Sequence, residues 1–188
     1  MDSPSKNKAN SALKTLLFDT PWGIAGACAS NGRIRRIVLP GLPPTRIRKI
    51  LGADRVKDDE PAPELIALKS FILDYMQDPQ TKPTEGVVPD FSGMSESSKS
   101  VYWALYKVPP GKVVTYGKLA EMSGRPNAAR AVGACMAANP LPLLIPCHRV
   151  VRADGNLGGF SGPGGVRLKK KMLRWEGVRI GNNDKVML

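Results

Sequence analysis

The sequence predicts an α+β chain: a small N-terminal α/β domain, then a mostly helical C-terminal domain that holds a helix-turn-helix and is winged-helix-like in outline. Three observations carry this. Up to Leu39 the apolar residues come in short runs broken by turn residues, the texture of strands. After Pro61, and again after Glu96, they recur at helical spacing. Between these blocks Asp78 to Gly93 is rich in Pro, Thr and Gly and reads as a linker. The chain has 188 residues, enough for one domain or two small ones, and at 42% hydrophobic it can bury a core. No apolar run approaches the roughly 18 residues of a membrane-spanning helix, so no membrane partner is expected.

Residues 1–11 are polar, lack the apolar core of a secretory signal and read as a flexible tail. The N-terminal α+β domain is expected over 12–77. Its strands are Leu16-Leu17-Phe18, Ile24-Ala25-Gly26-Ala27 and Ile34 to Leu39; Thr20-Pro21-Trp22-Gly23 and Asn31-Gly32 punctuate them, the second as a hairpin turn. Pro40 to Pro44 is a break, and Leu65, Leu68, Ile72 and Tyr75 mark a helix within Pro61 to Met76. After the linker, 78–93, a C-terminal domain is expected over 94–180. It opens with a helix from Glu96 to Val108, ended by Pro109-Pro110-Gly111. Thr115 caps a helix through Met122, closed by Ser123-Gly124; Pro126 and Asn127 open another that runs to about Ala138. These two form the helix-turn-helix. A last helix fills Val166 to Trp175, after a glycine-rich loop, and 181–188 reads as tail.

Charge separates the halves. Residues 1–90 carry 13 basic and 11 acidic side chains, whereas 91–188 carry 15 and 5, a net of +10. A positive field on one half favours a polyanion, nucleic acid before membrane, because a long basic amphipathic helix with a bulky apolar face is missing. Yet the second helix of the pair, Ala128 to Ala138, has Arg130 as its one long polar side chain. Small residues cannot reach base edges, so binding there would rest on shape and phosphates. Equally, Ala and Gly in such a helix can serve close packing inside the protein.

The most unusual stretch is Ile145-Pro146-Cys147-His148-Arg149-Val150, which contains the one histidine of the chain. A thiol near pKa 8.5 needs a base or positive charge to become a nucleophile. His148 can take the proton if a carboxylate orients it, and Glu176 at the end of the last helix is the candidate. A buried inert cysteine, a structural histidine and a glutamate paired with its neighbouring lysines remain open on spacing alone. Three cysteines and one histidine have the count but not the spacing of a zinc site, and Cys28 and Cys135 read as packed thiols. Since three cysteines cannot all pair, reduced thiols and an intracellular location are expected. The loop from Gly158 to Gly165 reads as a lid or wall over the thiol.

Taken together, Pro146-Cys147-His148-Arg149-Val150, Ala129-Arg130-Ala131-Val132-Gly133, Asn139-Pro140, Thr115-Tyr116, Phe160-Ser161-Gly162 and Glu176-Gly177 resemble the O6-alkylguanine-DNA alkyltransferase family. The resemblance is strong from about Ser98 to Gly177. It implies a DNA repair protein that flips O6-alkylguanine out of duplex DNA and transfers the alkyl group irreversibly and stoichiometrically to its own cysteine, with no cofactor and no metal. It implies Cys147 as acceptor, His148 as its base through water, Glu176 as the group orienting His148, Asn139 as a brace and Tyr116 as a donor to the flipped base. Thr115, Tyr116, Ala129, Arg130 and Gly133 would face DNA, with Arg130 filling the vacated stack. Met136, Val150, Phe160 and Ser161 would line the guanine pocket. A monomer acting on double-stranded DNA containing O6-alkylguanine is expected, in the cytoplasm with the nucleoid if bacterial or archaeal and in the nucleus if eukaryotic. Phe160 stands where other members have tyrosine, and Pro163-Gly164-Gly165 lengthens the loop relative to some. A non-catalytic alkyltransferase-like protein is the alternative, but such proteins replace the cysteine that is present here; an unrelated cysteine peptidase would need a histidine distant in sequence.

Overall fold

The computed structural model of the chain describes residues 13–53 and 61–187. Three antiparallel strands, β1 (Lys14–Thr20), β2 (Gly23–Ser30) and β3 (Arg33–Val38), form a sheet in sequence order. Asn31 and Gly32, at φ 54° and 69°, make the left-handed two-residue turn that suits a twisted hairpin. Helix α1 (Pro44–Leu51), for which the sequence shows only the preceding proline break, lies on this sheet. It sits so close that a Cβ at Gly26 would fall 2.5 Å from Ile47 Cγ2. Helix α2 (Pro63–Tyr75) buries Leu65, Leu68, Ile72 and Tyr75, the residues spaced for it, and Phe71 beside them.

The helices α3 (Glu96–Tyr106), α4 (Tyr116–Met122) and α5 (Ala129–Ala137) follow, then α6 (Val166–Trp175). Ser95 and Thr115 cap α3 and α4 by accepting from the amides of Ser98 and Lys118. Gly124, at φ 75°, makes the left-handed turn between α4 and α5. A parallel pair, β4 (Val114–Thr115) and β5 (Val150–Val151), brings the start of α4 beside the Cys147 segment.

Two expectations change. The segment 78–93 is not a free linker: Ile34 pairs with Pro89, Asp90 N donates to Ile34 O at 2.8 Å, and Val87 and Phe91 are buried. One apolar cluster therefore runs from Phe18 and Ala25 through Leu68 and Leu105 to Cys147 and Met172, joining the halves. Nor is 181–187 a tail. Val186 is buried, Ile180 bridges it, and its amide donates to Gly155 O at 2.8 Å. Only glycine fits at 155, where φ is 80° and a Cβ would meet Val186 O at 2.6 Å. The expected tail 1–11 and residue 188 lie outside the described residues.

Candidate active site

Residues 141–150 are all buried. Asn139 shapes the run: its Nδ2 donates to Ile145 O at 2.9 Å and its Oδ1 accepts from Leu141 N at 3.0 Å. Leu143 is held at φ 75°, where side chains rarely sit. Pro146 then turns the chain into a single 3₁₀ turn, Cys147–Arg149. So tight a turn sends consecutive side chains apart. His148 reaches Glu176 and makes no direct bond to the Cys147 sulfur.

Glu176, 4% exposed, is the acceptor on which this site converges. Its Oε1 accepts from His148 Nε2 at 2.8 Å, Tyr75 Oη at 2.9 Å and Arg149 Nη2 at 2.8 Å; its Oε2 accepts from Arg149 Nε at 3.0 Å and Gly111 N at 3.3 Å. Arg149 Nη1 also donates to Val108 O at 2.6 Å. Burial works against the carboxylate, but the hydrogen bonds from His148 and Arg149 overcome it and hold its pKa at about 2. An ionised Glu176 fixes the proton of His148 on Nε2. Burial pulls His148 below its ordinary pKa, so the imidazole is neutral. Its Nδ1 is buried without a hydrogen-bond partner among the described residues and can accept a proton.

Around Cys147, burial pushes the thiol pKa up, while a hydrogen bond from Asn139 and the charge of Lys169 pull it down. Lys169 is fully buried in α6; its Nζ donates to Val150 O at 2.5 Å and to Leu157 O. That burial lowers its pKa to about 8. Tyr116, the first residue of α4, is half-buried, and a Cβ on Gly158 would meet its hydroxyl at 3.2 Å. Burial and then a charge on Cys147 raise its pKa, so it stays a protonated donor facing the thiol region. Met136 and Val150 are buried in the same cluster as Cys147, and Phe160 packs partly buried on it. Ser161 is exposed on the loop. That loop rests on the N-terminal half, where a Cβ at Gly41 would lie 3.0 Å from Pro163 Cβ.

Helix α5 buries Val132 and Met136 and exposes Arg130, Ala131, Ala134 and Ala137, with Ala138 exposed at its C-cap. Among the described residues, and leaving aside the helix's own backbone, nothing lies within 4 Å of a Cβ built on Gly133. Its small residues therefore leave an open face instead of serving internal packing, and Arg130 makes no ion pair among the described residues. Among those residues no group of three or more His, Cys, Asp or Glu side chains is placed to hold a metal ion.

Sequence reasoning missed Tyr75, the role of Arg149 and Lys169. Lys169 was discoverable, because 169, 172, 173 and 176 share one helix face with Met172, Leu173 and Glu176. Tyr75 lies 101 positions from Glu176 and left no such signal.

A family model described as the DNA-binding domain of 6-O-methylguanine DNA methyltransferase matches residues 96–178. The methylated-DNA–protein-cysteine methyltransferase of Cricetulus griseus is 35% identical over 177 residues, 88% of this chain and 83% of that one. The Rattus norvegicus protein of the same name is 49% identical over 85 residues, 45% of this chain; the match spans only 40% of the rat protein's length. The crystal structure of Mycobacterium tuberculosis OGT in complex with DNA superposes with a TM-score of 0.68 at 26% identity, over 87% of this chain and 92% of that one.

Proposed function

Because this chain belongs to the methylated-DNA–protein-cysteine methyltransferase family, we propose that it removes the alkyl group from O6-alkylguanine in duplex DNA onto Sγ of Cys147, once per molecule. The observation that carries the reading is the His148–Glu176 pair at 2.8 Å, buried directly behind the cysteine. The thiol gives its proton through water to His148 Nδ1, and Glu176 stabilises the imidazolium that forms. The sulfur then attacks the alkyl carbon in line with the C–O6 bond. The S–C bond forms, the C–O6 bond breaks with its electron pair passing into guanine, and the base takes up a proton, assisted by the Tyr116 hydroxyl. No cofactor is consumed. Releasing the alkyl group from the neutral thioether would require the Cys147 thiolate to leave, and a thiolate is a poor leaving group from such a carbon, so the protein is spent.

A guanine within the duplex hides O6, so the base must leave the stack. The open alanine face of α5 lets the helix press on DNA of any sequence, Arg130 occupies the gap left by the base, and Thr115, Ala129 and Gly133 lie against the backbone. Met136, Phe160, Ser161 and the backbone of Val150 enclose the flipped guanine, while Asn139 braces the segment below it. Residues 94–180 thus bind DNA and accept the alkyl group. All of these groups come from one chain, which suits a monomer, working in the nucleoid-containing cytoplasm of a prokaryote or in a eukaryotic nucleus.

The test is mass spectrometry after mixing with duplex DNA that contains O6-methylguanine. A gain of one methyl on the peptide holding Cys147 is expected, with Cys147→Ser binding the same duplex and gaining none. Unmodified wild-type protein with unchanged DNA would sink the reading and leave a protein that only binds.

A further inference from the structure

The charge excess belongs to the second half, yet exposed cations on β3 and α1 lie next to the end of α5. A groove of about 440 Å³ separates them, and the argument built on it rests on the DNA reading just given. Arg36, Arg46 and Ile50 stand on one side, Ala137 of α5 and Ala138 just after it on the other, and Ser161 of the loop closes one part. Among the described residues no acidic side chain lines it. Arg36 and Arg46 are exposed and make no ion pair among the described residues, whereas their neighbour Arg35 is paired with Asp90 at 3.4 Å.

The two sides are fixed relative to each other. Ile37 N donates to Pro140 O at 2.8 Å, just beyond α5, and Pro163 rests on Gly41, whose φ of 127° also demands glycine. The groove meets the C-terminal end of α5, the helix read above as lying on DNA. We propose that Arg36 and Arg46 form a second phosphate-binding strip, which holds the backbone of the same duplex beyond the reach of α5. Guanidinium groups suit this task, since their planar forks meet phosphate oxygens two at a time. The N-terminal half then takes part in DNA binding as well as in packing.

The strip is tested with undamaged duplex DNA titrated across roughly 50 to 200 mM salt, where each phosphate neutralised contributes about 0.9 to the slope of log K against log salt. The pair Arg36→Gln, Arg46→Gln is expected to flatten the slope by about 2 and to weaken binding roughly tenfold. The pair Arg36→Lys, Arg46→Lys keeps the slope. Methyl transfer from free O6-methylguanine base stays at the wild-type rate in both. An unchanged slope in the glutamine pair, or equal loss of slope in the lysine pair, overturns the strip. If the glutamine pair fails to fold, shown by lost transfer from the free base, the single variants decide, each expected to remove about 1 from the slope. Wild-type protein that takes no methyl from the free base or from damaged duplex would instead overturn the transfer chemistry, while the salt slopes still decide the strip.

Discussion

The site behind Cys147 and the helix α5 are built on opposite rules. Behind Cys147 long polar side chains gather out of water: His148 and Lys169 are fully buried, Tyr75 is 1% exposed and Arg149 7%. On α5 a single arginine stands among exposed alanines. The contrast shows where precision is needed. Proton transfer to one nitrogen requires fixed donors in a dry site, whereas damage can lie in any sequence, so the surface that meets DNA has to be indifferent to bases. Substitutions should divide along that line. Changes behind Cys147 slow transfer from duplex and from free modified base alike, and changes on the exposed face of α5 slow only the duplex reaction.

Glu176→Gln is the largest test. Without the carboxylate His148 loses its orienting partner, and transfer should fall about 100- to 10,000-fold on both substrates in single-turnover assays. Arg149 is left as a buried charge without a counterion, and urea denaturation should show a loss of about 3 to 5 kcal/mol. Acid separates the two effects. Because the folded-state pKa of Glu176 is about 2, below its ordinary 4.5, its stabilisation is complete above pH 4.5 and is lost as pH falls toward 2. Wild-type stability should therefore fall by about 3 kcal/mol more than that of the variant across this window. Parallel pH curves would show that the carboxylate is not held by Arg149 and His148.

Arg130→Ala comes next. Unstacking a base costs a few kcal/mol, and a side chain that fills the gap offsets part of it, so duplex transfer should slow about ten- to a hundredfold. Transfer from the free base should not change. Equal slowing of both reactions would erase the line between the two regions.

The two regions also differ in how far the sequence discloses them. Local features are readable: Thr115 caps α4, Gly124 follows its end, and the last helix spans Val166–Trp175, the range expected after the glycine-rich loop. The alanine face of α5 is equally plain, although residue types alone could not say whether it looks inward or outward. The environment of the thiol is assembled from segments distant in sequence. His148 and Glu176 follow from chemistry and family resemblance, but the fold alone brings Tyr75 of α2 and Gly111 onto the same carboxylate. Helix α1 went unread because eight residues give little more than two turns of periodicity. The segment 78–93 looked like a linker because Pro and Gly are common in it, yet Val87 and Phe91 make it part of the core.

Tyr75→Phe should have the smallest effect and asks whether the N-terminal half reaches the chemistry. The ring stays packed, and Trp175 Nε1 still donates to the Tyr75 carbonyl at 2.9 Å, so α2 keeps its place. Only the hydroxyl bond to Glu176 Oε1 is removed, while that oxygen still accepts from His148 and Arg149. A loss of about 1 kcal/mol in stability and a few-fold change in rate are expected. The pH profile is the telling readout. With one donor fewer, the charge on Glu176 is less compensated and holds a proton on His148 more strongly, so the acid limb of transfer from free base should move to higher pH. A purely structural tyrosine would lower stability and leave that limb in place.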